Sequence, residues 1–321
     1  MERISWGIIG CGDVSEVKSG PAFNLVSNSE LVAVMRRDTA KAEDYAKRHR
    51  VKKWYSDTSD LINDNDVNAI YIATPPAYHE AYTLQAFEAG KPVYVEKPMA
   101  LDAVEAERMA KAAERFSCKL SIAHYRRAQP RFVKILHLLK QKAIGDVLSA
   151  DLKFHNPYQP GTEHTWRTNP AVSGGGLFHD LAPHQLDLML FFFGDPVQVE
   201  GKSLNRANLY DADDYASAEI LFSGNIKFTG IWDFNAQLDD KTDICEIKGT
   251  NGVIRFEVFG NLCEVIINGQ VKQLEFDHMP HVQQSMIDQV VKHFLNQGAN
   301  PCSAKEAVQG MTMIDKITGK I

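Results

Sequence analysis

The length, composition and charge of the chain exclude several classes of protein. It has 321 residues, 44% of them hydrophobic and 24% charged, which is typical of a globular protein long enough for two domains. The net charge of −6 leaves no basic surplus for a nucleic-acid backbone. The apolar runs are far shorter than the ~20 residues that cross a bilayer, the amino-terminal residues lack a signal-peptide pattern, and the five cysteines form no CxxC pair. We therefore expect a cytoplasmic protein that binds neither nucleic acid nor membrane.

The first third of the chain alternates β-rich runs with amphipathic stretches. Strands are predicted over residues 4–9, 31–35, 69–73, 92–96 and 120–123. Helices are predicted between them over residues 39–49, 79–89 and 102–116. Nearly continuous apolar strands that alternate with helices are typical of a parallel sheet covered on both faces. Residues 1–124 are therefore predicted to form a doubly wound α/β domain.

The pattern changes after about residue 125. Strands are predicted over residues 147–155, 197–204, 214–222, 226–234, 243–248, 253–258 and 262–268. Helices are predicted over residues 130–142, 176–193, 281–296 and 303–318. Polar and apolar residues alternate in several strands, and turn dipeptides such as Asn251-Gly252 separate them, which indicates antiparallel pairing. Residues 125–321 are therefore predicted to form an α+β domain with an open, mostly antiparallel sheet.

A glycine-rich turn follows the first predicted strand. It reads Gly10-Cys11-Gly12-Asp13-Val14-Ser15, which is G-x-G-x-x-S where the dinucleotide fingerprint has G-x-G-x-x-G/A. The first glycine allows the tight turn, and the second lets backbone N–H groups approach a pyrophosphate. The third position needs only a small residue, and serine is small. The position of this motif after the first strand favours a dinucleotide contacted by Gly10, Cys11, Gly12, Asp13 and Val14.

The residues after the second predicted strand bear on which dinucleotide is bound. An NAD-binding protein usually has Asp or Glu there for the ribose 2′-hydroxyl, whereas an NADP-binding protein has Arg for the 2′-phosphate. This chain has Arg36 and Arg37, and guanidinium groups pair with phosphate and stack on adenine. The prediction is therefore NADP in preference to NAD. The alternative is a solvated basic turn in which Asp38 binds the ribose.

Three further segments contain candidate catalytic residues. Thr74-Pro75 and Glu96-Lys97-Pro98 follow predicted strands, at the sheet edge where α/β proteins bind ligands. Asp180 and His184 are four residues apart and therefore share one face of a predicted helix, and such a carboxylate and imidazole form a plausible acid–base set with Lys97. Taken singly, each is equally well explained as a surface lysine, a helix N-terminal carboxylate or a packed histidine.

A metal site in the same helix is disfavoured. His179, Asp180, His184 and Asp187 are of ligand types, but the two histidines are five residues apart and no H-E-x-x-H motif occurs. We therefore expect no metal.

The ordered combination of motifs resembles the glucose–fructose oxidoreductase/inositol dehydrogenase (Gfo/Idh/MocA) family. It comprises the glycine-rich turn, Glu96-Lys97-Pro98, and G-G-G-x-x-x-D-x-x-x-H-x-x-D over residues 174–187. The resemblance extends over nearly the whole chain. It implies a Rossmann domain, an open α/β domain whose sheet often forms dimers or tetramers, and NAD(P)-dependent redox chemistry on a sugar, polyol or related diol. It also allows a cis Lys97–Pro98 bond, although trans is the general expectation.

The resemblance also implies roles for individual residues. His184 would be the general acid/base, Lys97 would polarise the carbonyl oxygen, and Asp180 would hold a substrate hydroxyl and orient the imidazole. Cofactor contacts are expected from Thr74, Pro75, His79, Glu96, Lys97, Trp166 and Arg167. The Trp166-Arg167 pair, like Arg36-Arg37, resembles the family's NADP-using sugar reductase branch. Substrate contacts from Tyr158 and His124 are weaker expectations from their places in the sequence.

Several interpretations remain open at this point. The leading prediction is an NADP-dependent sugar or polyol oxidoreductase that forms a homodimer or homotetramer through the second sheet. One alternative is an NAD-dependent inositol or polyol dehydrogenase. Another, from a different class, is a regulator that senses a dinucleotide without turnover, since a fold does not determine a function.

Overall fold

The computed structural model describes residues 2–321, which divide into two compact units. The first comprises the chain through Gln129 together with His278–Val308, and the second comprises Pro130–Asp277 and Gln309–Ile321. The sequence division at residue 125 differs from this, because it assigns His278–Val308 to the second domain. That segment packs with the first unit, where the Phe294 ring lies 5.6 Å from the Trp6 ring.

The first unit is built on a parallel sheet. Its strands are β1 (Ile4–Ile9), β2 (Ser29–Met35), β3 (Lys53–Tyr55), β4 (Ala69–Ile72), β5 (Val93–Val95) and β6 (Leu120–Ile122). They lie in the order β3-β2-β1-β4-β5-β6, and each neighbouring pair is parallel. Apart from β3, these strands are largely buried, as the nearly continuous apolar runs predicted.

Helices connect these strands. They are α1 (Asp13–Val17), α2 (Thr39–His49), α3 (Thr58–Ile62), α4 (His79–Glu88) and α5 (Ala103–Arg115). The N-cap residues of α2, α3 and α5 are aspartates, Asp38, Asp57 and Asp102, whose side chains accept backbone N–H bonds from the first turn. This arrangement of helices and parallel strands confirms the predicted doubly wound fold.

The second unit contains a mixed, mostly antiparallel sheet. Its strands are β7 (Val147–Pro157), β8 (Pro196–Leu204), β9 (Tyr215–Phe222), β10 (Ile226–Ala236), β11 (Thr242–Gly249), β12 (Gly252–Phe256), β13 (Cys263–Ile267) and β14 (Gln270–Gln273). They lie in the order β14-β13-β12-β11-β7-β10-β9-β8. The strands β7 and β10 pair in parallel, whereas the other neighbours are antiparallel.

The remaining helices flank or follow this sheet in the chain. They are α6 (Pro130–Lys140), α7 (Pro170–Ser173), α8 (Leu177–Phe193), α9 (Gln284–Phe294) and α10 (Ala304–Ile317). The helix α8 packs on the sheet through β10. Its Phe178 ring meets Trp232 edge-on at 5.1 Å, and the Trp232 Nε1–H donates to Gln185 Oε1 at 2.7 Å. This buried bond fixes α8, which contains Asp180 and His184, against the sheet.

Two strands were not predicted. The strand β3 has three residues at the edge of the first sheet, and β14 is exposed throughout its four residues at the edge of the second. Neither has the apolar pattern of a buried strand, so they can be recognised only from their hydrogen-bonded pairing with a neighbouring strand. No helix within residues 2–321 combines the length and apolar character needed to span a bilayer.

Candidate active site

The carboxyl edge of the parallel sheet collects the candidate residues of the first unit. Because the strands are parallel, the residues that follow β1, β2, β4 and β5 lie at the same edge. The backbone bonds show this continuity, since Gly10 N–H donates to Met35 O and Ala73 N–H donates to Ile9 O. The strand order reverses between β1 and β4, which is where open α/β sheets bind ligands.

The glycine turn has the backbone that a dinucleotide requires. Gly10 has φ +93°, and a Cβ at this position would lie 2.9 Å from Thr74 Cγ2 and 3.0 Å from the Ala73 carbonyl carbon. Gly12, the N-cap residue of α1, is open by contrast, since its nearest neighbour would be 4.0 Å from a Cβ. Ser15 is fully buried against α2, where the Tyr45 hydroxyl donates to its carbonyl at 2.9 Å. The turn therefore fits a pyrophosphate that approaches Gly12.

The other residues of this turn differ in exposure. Cys11 is buried, and burial raises the pKa of its thiol to about 11, so the thiol is protonated at neutral pH. Asp13 and Val14 are the first residues of α1, and Asp13 is exposed.

The two arginines after β2 make different contacts. Arg36 Nη1 donates to the Cys11 carbonyl at 3.3 Å, which places its guanidinium beside the glycine turn. The Arg37 guanidinium carbon lies 5.1 Å from the centre of the Tyr78 ring, in the turn after β4. Asp38 accepts the Lys41 N–H at 3.2 Å and pairs with the Lys41 ammonium at 3.1 Å. The carboxylate next to this strand end is thus engaged in capping α2.

The segment after β4 contains Thr74 and Pro75, which are expected to contact the cofactor, and the buried His79. Thr74 and Pro75 are partly exposed, and Thr74 Oγ1 is buried with no hydrogen-bond partner among residues 2–321. His79 is fully buried, with Nδ1 3.0 Å from Pro98 O and Nε2 2.8 Å from Thr74 O. Both ring nitrogens of His79 thus face main-chain carbonyls, and its expected cofactor contact stays a prediction.

Burial also governs the protonation of His79. It lowers the pKa of the imidazole to about 4, and the facing carbonyls only partly oppose this effect. A neutral ring donates to one carbonyl at a time, so His79 links the segment after β4 to the one after β5.

Glu96 ends β5 in a buried polar network. Its Oε1 accepts the Tyr71 hydroxyl at 2.5 Å and the Gln283 side-chain amide at 2.6 Å. Gln283 is fully buried and accepts the Tyr94 hydroxyl at 2.9 Å. Glu96 Oε2 accepts the Lys97 backbone N–H at 3.2 Å. Glu96 is thus engaged with protein groups, and this network fixes the backbone of Lys97.

The remaining first-unit candidates lie at the same edge. Lys97 is partly exposed, and its peptide bond to Pro98 is cis, as the resemblance allowed. His124 follows β6 and is 5% exposed. Their expected contacts with cofactor and substrate stay predictions.

In the second unit, Asp180 lies beside the Trp166-Arg167 pair. Arg167 Nε donates to Asp180 Oδ2 at 3.1 Å, and its guanidinium carbon lies 4.5 Å from the centre of the Trp166 ring. Trp166 and Arg167 belong to a short 3-10 turn, Trp166–Thr168. The structure therefore brings an expected catalytic carboxylate together with the pair expected to bind the cofactor. Tyr158, in the loop after β7, is partly exposed.

His184 stands one helical turn after Asp180 on α8 and is 4% exposed. Its ring meets the Phe259 ring edge-on, with centroids 5.6 Å apart and planes at 80°. A carboxylate and an imidazole on one helix face, with a guanidinium beside the carboxylate, can bind a hydroxylated substrate and exchange a proton with it.

The histidine and aspartate that flank this pair are buried. His179 is 1% exposed, and burial, with a smaller contribution from Lys320, lowers the pKa of its imidazole to about 3. Asp187 is 2% exposed. Within residues 2–321, no group of three or more His, Cys, Asp or Glu side chains is arranged to hold a metal ion.

The sequence interpretation missed four residues of these arrangements. Tyr71, Tyr94 and Gln283 surround Glu96, and Tyr78 stacks with Arg37. In the sequence the two strand tyrosines have the pattern of core residues, and Gln283 is 187 residues from Glu96. Neither feature indicated a polar network. Only Tyr78 had a usable signal, since it follows β4 at the edge where Arg37 follows β2.

Models of two protein-domain families match this chain. Residues 4–124 match an oxidoreductase family with an NAD-binding Rossmann fold. Residues 132–255 match the Gfo/Idh/MocA C-terminal domain. Together they cover well over half of the chain.

Similar proteins align with most or nearly all of this chain. Oxidoreductase P35 of Formosa agariphila is 44% identical over 99% of both chains. Trans-1,2-dihydrobenzene-1,2-diol dehydrogenase of Xenopus laevis is 29% identical over 88% of this chain and 83% of its own. The solved structure of levoglucosan dehydrogenase in complex with NADH has the same fold, with a TM-score of 0.88 and 20% identity over 98% of this chain and 96% of its own. The family models and the first of these relatives place the chain in the Gfo/Idh/MocA family of NAD(P)-binding oxidoreductases.

Proposed function

We propose that this protein is an NADP-dependent oxidoreductase that interconverts a carbonyl and an alcohol on a sugar, polyol or related diol. The observation that carries the proposal is the shared face of α8, where Asp180 and His184 stand one turn apart and Arg167 pairs with the carboxylate. The name of the Xenopus laevis relative, a dehydrogenase of a 1,2-diol, supports a substrate with neighbouring hydroxyls.

In the proposed chemistry, His184, Lys97 and Asp180 each have a separate role. A bound nicotinamide dinucleotide supplies or accepts the hydride. His184 gives a proton to the substrate oxygen in reduction and takes it back in oxidation. Lys97 stabilises negative charge on that oxygen, and Asp180, held by Arg167, binds a substrate hydroxyl. The assignment of these residues to one substrate rests on the family's residue pattern.

The preference for NADP rests on the residues after β2. Arg36 reaches the glycine turn and Arg37 stacks on Tyr78, so two guanidinium groups flank the expected place of the adenosine ribose. Asp38 is engaged with the first turn of α2. A ribose 2′-phosphate suits this charge distribution better than a free hydroxyl does.

The first test measures binding of NADPH and NADH by cofactor fluorescence, after any carried-over nucleotide has been removed. Arg36→Ala should weaken NADPH binding about 10- to 100-fold, the value of a charge-assisted hydrogen bond of about 1.5–3 kcal/mol, and should change NADH binding little. Lys47→Ala, at an exposed site on α2, serves as the control. Equal losses for both dinucleotides would contradict the role of Arg36, and preference for NADH would favour the NAD-dependent polyol dehydrogenase.

The second test is turnover of sugars, polyols and diols with the preferred dinucleotide. Lys97→Met should lower kcat about 10²- to 10⁴-fold while dinucleotide binding is retained, and Lys111→Met, at an exposed site on α5, should not. Full turnover by Lys97→Met would refute the proposed chemistry. Tight dinucleotide binding without turnover of any substrate would favour the sensing regulator.

A further inference from the structure

The loop between β12 and β13 is held by a carboxylate from a neighbouring strand. Asp243, in β11, accepts three consecutive backbone N–H groups, from Val258 at 3.1 Å, Phe259 at 2.5 Å and Gly260 at 3.2 Å. Hydrogen bonds to an ionised acceptor are stronger than neutral ones. This loop follows the region matched by the C-terminal family model, which ends at residue 255.

A guanidinium holds the same loop through its carbonyls. Arg131, in α6, donates from Nη1 to Gly260 O at 2.5 Å and from Nη2 to Val258 O at 3.2 Å. Within the loop, Glu257 Oε2 accepts the N–H groups of Asn261 and Leu262 at 2.8 and 3.0 Å. Side chains therefore bind both the backbone N–H groups and the backbone carbonyls of this loop, whereas hairpin loops are commonly mobile.

The side chain that this fixed loop presents is Phe259. Its ring lies 5.3 Å from the Phe154 ring and 5.6 Å from the His184 ring, which it meets edge-on. Phe154 is 7% exposed and His184 is 4% exposed, whereas Phe259 is partly exposed, so the Phe259 ring packs against two buried rings. Edge-to-face packing of aromatic rings is directional, and it restricts the rotation of each ring.

We propose that Phe259 is a positioning residue for His184, and that Asp243 and Arg131 hold Phe259 in place. The inference rests on the proposed role of His184 in proton exchange. A catalytic imidazole must be held to within about 0.5 Å of its productive place, and a misplacement of about 1 Å can cost 100-fold in rate. The edge-on Phe259 ring supplies such a restraint from an element other than α8.

The direct test observes the His184 ring by NMR in ¹⁵N-histidine-labelled protein, with the signal assigned through His184→Gln. Phe259→Leu fills most of the space but removes the aromatic ring, so the His184 Hδ2 and Hε1 signals should lose their ring-current shift and broaden. Phe259→Tyr should retain the signals, and Asp243→Asn should shift them in the same direction as Phe259→Leu. Asn261→Ala keeps the backbone N–H that donates to Glu257 and changes only an exposed side chain, so it should leave the signals unchanged.

The kinetic test follows the same variants with the preferred dinucleotide and substrate. Phe259→Leu should lower kcat about 10- to 100-fold with little change in KM or in dinucleotide Kd, and Phe259→Tyr should restore kcat. A merely space-filling role predicts that Leu and Tyr serve about equally well.

The outcomes separate this inference from the proposed function. Unchanged His184 signals in Phe259→Leu would overturn the positioning role, whether or not a substrate is known. Absence of turnover in the wild-type protein, with dinucleotide bound, would instead overturn the proposed function. Altered signals with full kcat in Phe259→Leu would show that the restraint has no catalytic value, and would overturn the inference as well.

Discussion

Two polar side chains near the glycine turn, His79 and Glu96, are buried, and burial decides how each can act. His79 faces the carbonyls of Thr74 and Pro98, and Glu96 accepts bonds from Tyr71 and Gln283. An unpaired polar group in such a place costs about 1–3 kcal/mol. Both residues therefore act as internal supports for the segments that follow β4 and β5, where Thr74 and Lys97 lie.

The burial of His79 makes the stability of the protein sensitive to acid. Its pKa is about 4 in the folded protein against about 6.5 in an unfolded chain. Between these pH values the unfolded state binds a proton that the folded state does not, so the free energy of unfolding falls as the pH falls. His79 should contribute on the order of 3 kcal/mol to the loss of unfolding free energy from pH 7.5 to pH 4, so in urea unfolding His79→Gln should lose less than the wild-type protein by about that amount.

The control for this prediction is the exposed His278. His278→Gln should retain the wild-type dependence on pH. If His79→Gln and the wild-type protein had the same dependence, His79 would not contribute to the acid sensitivity.

At the scale of elements, the turn between β1 and α1 has a glycine, Gly10, at a position where any other residue would be strained. Gly10 has φ +93° and lies against the backbone of Ala73, at the place where β1 and β4 meet. The two strand ends are close because the sheet is parallel and its order reverses here. The left-handed backbone and the close approach are thus required together.

Gly10→Ala tests both requirements against a matched control. Gly90 also has positive φ, at +69°, but has nothing within 4 Å of a Cβ. Gly90→Ala should therefore lower the free energy of unfolding by only the backbone cost, about 1–2 kcal/mol. Gly10→Ala should cost about 1 kcal/mol or more beyond that because Ala73 must move, and should abolish dinucleotide binding. Equal losses, measured by urea unfolding, would contradict the importance of the close approach.

At the scale of the whole molecule, the first unit is completed by a distant part of the chain. Gln283 and Phe294 belong to His278–Val308, and they contact Tyr94 and Trp6 in the parallel domain. Lys119 adds bonds to the end of α9, donating to His293 O at 2.6 Å and Phe294 O at 3.0 Å. The parallel domain is therefore complete only when the chain has passed through the second unit and returned.

Phe294→Ala should weaken the first unit. Phe294 is 5% exposed, and removal of a buried phenylalanine ring typically costs about 3–5 kcal/mol. Hydrogen exchange measured by mass spectrometry should show faster exchange in β1 and β5, with a smaller effect in β9 and β10. Exchange that increased equally throughout would contradict the assignment of this segment to the first unit.

Local patterns in the chain were sufficient to predict the class of fold and to name the candidate residues of the site. The parallel domain followed from apolar runs and helical periodicity, and the glycine turn from the residues that tolerate its backbone, because both signals lie within a few residues of one another. The bounds of α2 agree with the amphipathic stretch predicted over residues 39–49, and the structure shows that Asp38 caps its start and Arg50 ends it in the left-handed conformation. The family resemblance came from ordered motifs, which are also read along the chain.

Contacts between distant residues could be decided only by the tertiary structure. The parallel pairing of β7 with β10, the return of His278–Val308 to the first unit, and the engagement of Glu96 by Gln283 leave no local periodicity. Likewise, Asp243 and Arg131 are ordinary polar residues in the sequence, and only folding brings them to the loop that holds Phe259 against His184. Periodicity records which face of an element is apolar, but the partner of a buried polar side chain depends on where the whole chain has placed its donors and acceptors.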